Sequence, residues 1–119
     1  MSVTIVTNIP DVAALYPDIS RCLEADVMHV FITLRDAIHK GARLVSHPLS
    51  GSVKPNVNPY KSVLLSDSEV LDYQSLCIIE DAIGLLKRLP GIKHDYSGHV
   101  MEDFRILDLD LIKGAISYV

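Results

Sequence analysis

Two stretches of the sequence repeat apolar residues every three and four positions, and short β-branched runs stand between them. Val27, Val30, Phe31, Leu34 and Ile38 mark an amphipathic helix over about 27–40. Leu76, Ile79, Ile83 and Leu86 mark a second one in the 67–91 stretch. The runs at 2–8, 19–24, 42–46 and 62–66 are too short for helices and suit strands. The first, SVTIVTN, is nearly continuous in apolar character, as in a strand buried on both faces. Strand and helix therefore alternate. The expectation is an α/β fold: one domain over 1–119, with a mostly parallel or mixed four-stranded sheet and helices on both faces.

The boundaries have local causes. Pro10 can open a short helix at its first turn, and Pro17 closes it. Asp26 and Asp72 can accept hydrogen bonds from the free amides of helix starts. Gly41 can leave the first long helix in the left-handed conformation. Lys87 and Arg88 suit the negative end of the other, and Pro90-Gly91 stops it. The 92–102 stretch reads as a polar connection. A short extended piece follows at 104–107, then a helix capped by Asp108 or Asp110 with Leu111, Ile112, Ala115 and Ile116 inward.

At 119 residues the chain can bury a core without disulfide or metal. Its 49% hydrophobic and 22% charged content exclude disorder. The net charge of −4 speaks against nucleic-acid binding. Cys22 and Cys77 have no CxxC spacing and read as reduced, buried thiols. The start lacks a basic region and a long apolar run, and no segment is long and apolar enough to span a bilayer. The expectation is a cytoplasmic protein with no membrane contact.

One segment stands apart. SHPLSGSVKPNVNPYKS (46–62) holds three of the six prolines, two lysines and no acid. It carries +2, so the rest of the chain carries −6. Its 17 residues exceed the usual connection of about 4–6. Pro48, Pro55 and Pro59 restrict it, which lowers the entropy lost on holding a site in place. It leaves the carboxyl end of a strand, where ligands bind in open α/β sheets. If the strands at 2–8, 42–46 and 62–66 are all parallel, Thr7, Asn8, Ser66 and Asp67 meet it there. A loop this long can also return the chain antiparallel.

The segment's chemistry suits anion capture. Ser50, Gly51 and Ser52 offer hydroxyls and backbone amides, Lys54 and Lys61 offer charge, and His47 can donate or accept. The candidate ligand residues are Asn8, His47, Ser50, Gly51, Ser52, Lys54, Asn56, Asn58 and Lys61, with His47 and Lys61 at the rim. The competing explanation is a stiff loop that covers a sheet edge or forms a homodimer contact. The Walker spacing and the Gly-x-Ser-x-Gly elbow are absent. His94 and His99 flank Asp95 without a nearby cysteine, so they read as solvated loop residues and no metal is expected. No cofactor is implied.

The same residues carry a resemblance. TNIP (7–10), HKGARLVSHPLSGSVKPN and NPYKS in the centre, and DFRILDLDLI (103–112) resemble the GrdX family, small proteins encoded beside the glycine, sarcosine and betaine reductase selenoenzymes of amino-acid-fermenting anaerobes. Asn8, His47, Ser50, Ser52, Lys54, Asn56, Asn58 and Lys61 match its motif, but the resemblance carries over no activity and no catalytic residue. It implies a cytoplasmic accessory role near the reductase system; the basic segment's own chemistry adds a small anion or an acidic surface of a reductase subunit as the expected partner. The alternative is a small enzyme acting on an anionic metabolite, with His47 as general acid and base.

Overall fold

Strand β1 (Val3–Thr7) runs through the middle of a four-stranded sheet, between β2 (Ser20–Cys22) and β4 (Ser62–Asp67), with β3 (Ala42–Leu44) beyond β4. The computed structural model describes residues 2–50, 57–91 and 96–119. The chain order is β1, α1 (Pro10–Leu15), β2 (Ser20–Cys22), α2 (Val27–His39), β3 (Ala42–Leu44), β4 (Ser62–Asp67), α3 (Tyr73–Arg88) and α4 (Gly98–Ile116). β1 and β2 are parallel, with Ile5 opposite Ser20. β4 runs antiparallel to both neighbours, with Thr7 opposite Ser62 and Leu44 opposite Leu65. The sheet is therefore mixed, with helices on both faces, as expected.

Side chains alternate across a strand, and this sorts the core into two layers. Val6, Val63 and Leu65 pack against α2 and α3 through Val30, Phe31, Leu34 and Ile79. Ile5 and Leu64 point the other way, against Ile9 and Val12 at α1 and Ile112 of α4. The caps behave as the sequence demands. Asp26 accepts from His29 N at 2.9 Å and Asp72 from Ser75 N at 3.3 Å. Pro10 opens α1. Gly41 has φ +104°, and a Cβ there would sit 3.3 Å from the Ser68 carbonyl oxygen, so a side chain would be strained twice over.

Three expectations are corrected. β4 is antiparallel, so Ser66 lies opposite Val3, and Ser66 and Asp67 stand at the far edge of the sheet from Thr7 and Asn8. There is no extended piece at 104–107: α4 is one helix from Gly98, capped by the Ser97 hydroxyl, and Asp108 sits inside it. Cys22 and Cys77 are exposed. Cys22 is on the edge strand β2, and Cys77 points away from the Ser75, Ile79, Ala82, Ile83 and Leu86 stripe of α3.

Candidate functional site

The carboxyl ends of β1 and β3 and the start of β4 share one edge of the sheet, because β1 and β3 run against β4. Both feet of the 46–62 segment stand on this edge. Side chains pin them there. Ser46 Oγ accepts from Leu64 N at 2.8 Å, in place of a strand partner. His47 Nδ1 accepts from Leu49 N at 3.0 Å. On the other foot, the Asn8 amide donates to the Pro59 carbonyl at 2.9 Å and to the Ala25 carbonyl at 3.1 Å, while its Oδ1 accepts from Lys61 N at 2.9 Å. Asn58 Oδ1 accepts from Tyr60 N at 2.8 Å, and its amide reaches the Phe104 carbonyl of α4. The asparagines thus supply backbone partners where the strand ladder has not begun, as short amide side chains do in turns.

Lys61 does not lie at a rim. It is 3% exposed, and its Nζ donates to the Ser50 carbonyl oxygen at 3.3 Å, joining the two feet. Burial pushes the Lys61 ammonium below its ordinary value of 10.5, and the charge of Asp108 partly offsets this. Asp108 is also 3% exposed. Burial raises its carboxyl above the ordinary 3.8, against the lowering pull of the Ser62 hydroxyl and N–H and of the Lys61 charge. Asp108 Oδ2 has no hydrogen-bond partner among the described residues. The Ser62 hydroxyl in turn meets the Thr7 hydroxyl at 2.7 Å, and Thr7 Oγ1 accepts from Ile9 N at 3.0 Å. A small pocket of about 110 Å³ opens between α4 and this edge, lined by Ser46, Ser50, Ser62 and Asp108 and closed by Leu111, Ile112 and Ala115.

A family model described as GrdX-like protein matches residues 4–117, which takes in Asn8, both feet of the segment and Asp108. The chain belongs to the GrdX family. No curated protein and no solved structure matches it.

In this GrdX-family chain the structure brings Asn8, Ser50, Asn58 and Lys61 to one edge, together with an exposed His47. Gly51, Ser52, Lys54 and Asn56 lie outside the described residues, as does His94. His99 is on α4, exposed, 3.7 Å from Asp103. Among the described residues no three His, Cys, Asp or Glu side chains group as metal ligands, and no helix is long and apolar enough to cross a membrane. Sequence reasoning missed Asp108 and Ser62. A signal existed: Asp108 precedes Ile112 by four residues and so shares the inward stripe of a helix, where a carboxylate needs a partner.

Proposed function

We propose that this protein is a binding accessory of the glycine, sarcosine and betaine reductase system, and that the basic 46–62 segment is its recognition element for a small anion or an acidic surface of a reductase subunit. One observation carries this. Side-chain hydrogen bonds from Asn8, Ser46, Asn58 and Lys61 fasten both feet of the segment to a single sheet edge. A recognition element fastened before its ligand arrives loses less freedom on binding. Its positive charge on an otherwise acidic chain favours negative partners. Ser50, Ser52, Lys54 and the segment's amides would take the charge.

The test is a thermal-shift panel of phosphate, sulfate, nucleotides, acetyl phosphate, glycine and betaine. An anion at about a hundred times its dissociation constant adds roughly 2.7 kcal/mol, a shift of many degrees. The expected hit is lost in Lys54→Ala while the fold is kept. A flat panel removes the small anion and leaves the reductase subunit. If the purified subunits also fail to bind, the proposal falls.

A second reading is a small enzyme on an anionic metabolite. Exposed His47 is its candidate: Leu49 N–H occupies the Nδ1 lone pair, so Nε2 of the neutral ring is a hydrogen-bond donor, and action as a base requires the Leu49 contact to break. A turnover that survives His47→Gln would end it.

A further inference from the structure

The pocket beside α4 has the wrong chemistry for an anion. Asp108 lines it and is, among its described lining residues, the one that ionises. The carboxylate is buried, and one of its oxygens has no hydrogen-bond partner among the described residues. Buried polar atoms in native proteins are nearly always partnered, and an exception beside a pocket marks strain, a functional role or a place for water or an ion. Around Asp108 stand the hydroxyls of Ser46, Ser50 and Ser62, all able to accept. The far wall is apolar, from Leu111, Ile112 and Ala115. The volume of about 110 Å³ suits a group of a handful of heavy atoms.

From these contacts we infer that the pocket binds a small primary alkylammonium ion. Its three N–H donors meet the carboxylate and the serine oxygens, and its short alkyl end meets the α4 wall. Neither a quaternary ammonium, which has no N–H, nor an anion, which the carboxylate repels, satisfies that set of groups. The site already has an internal rival. The Lys61 ammonium interacts with the same carboxylate and is tethered to the carbonyl of Ser50, whose residue also lines the pocket. An external ammonium therefore competes with the charge of Lys61. This gives the site a sign opposite to that expected of the basic segment, and it does not depend on the proposed anion binding.

The test is titration of the full chain with methylammonium chloride, followed by backbone amide NMR, with potassium chloride and tetramethylammonium chloride at matched ionic strength. Saturable shifts at Ser46, Ser50, Ser62 and Asp108 with methylammonium alone are expected. Asp108→Asn should weaken binding by about tenfold or more, since it removes a charge-assisted acceptor. Ser62→Ala, a milder change that serves if Asp108→Asn does not fold, should weaken it severalfold. Lys61→Met should tighten it. Equal shifts with potassium or tetramethylammonium, no saturable shift at all, or an affinity unchanged by Ser62→Ala would each overturn the inference. So would weaker methylammonium binding in Lys61→Met, which would make the lysine a holder of the ligand rather than its rival.

Discussion

The two faces of the sheet are built on different terms. Against α2 and α3 the contact is almost wholly apolar, built from Val6, Val27, Val30, Phe31, Leu34, Ile38 and Ile79, with Ser75 of α3 as its buried polar side chain. Against α1 and α4 the apolar cluster is smaller, and the sheet also presents Thr7, Ser62 and Ser66. Lys61 and Asp108 are buried at the edge of that same side. Burying ionised groups costs several kcal/mol each before any attraction is counted, and a hydrophobic pair of similar size often holds a fold as well. The first face explains why the chain folds. The second holds groups that folding alone does not require, and these lie beside the pocket and both feet of the basic segment.

Substitutions can break this contrast. Phe31→Ala should remove about 3–5 kcal/mol of stability in urea unfolding, because it opens a void in the larger apolar layer. Asp108→Leu should cost about 3 kcal/mol with Lys61 left in place, since it removes the negative charge that offsets the burial of that cation. Adding Lys61→Met to it should bring stability back to within about 1 kcal/mol of the starting protein. A double variant as unstable as Asp108→Leu alone would mean that the pair is structural after all. The smallest effect is on the pH profile. Asp108 has a folded-state pKa above its ordinary value, so its proton favours the native state. That contribution is complete below 3.8 and is lost as pH rises through the raised value. Relative to Asp108→Asn, the unaltered protein should therefore lose stability over that window. Parallel profiles would place Asp108 in a solvated setting.

Much of this fold is readable from residue spacing, and the failures share a cause. Asp26, Asp72, Pro10 and Gly41 mark boundaries because their effect is local, on the backbone of the next few residues. The strands β1 and β4 show because their middles, Ile5-Val6 and Val63-Leu64-Leu65, are buried on both faces and read as continuous apolar runs. Helix α4 is hidden because Asp108 occupies an inward position while Leu107 and Leu111 are partly exposed, so FRILDLDLI alternates like a strand. The direction of β4 is undetermined locally, since a connection of this length can serve either orientation. The site suffers from the same limit. Lys61 looks like a surface charge until Asp108, from the last helix, is brought beside it, and no spacing along the chain announces that meeting.

The Lys61–Ser50 hydrogen bond joins positions 11 apart in sequence. A clasp of that kind makes the stretch it closes a cassette. For a flexible stretch, ring size enters the closing entropy only logarithmically, so doubling an inserted flexible length changes it by only about 0.6 kcal/mol. Insertions and replacements engineered inside the clasp would therefore leave the sheet, the two feet and the pocket beneath as they are. Recognition can diversify on a frame that does not have to be refolded each time.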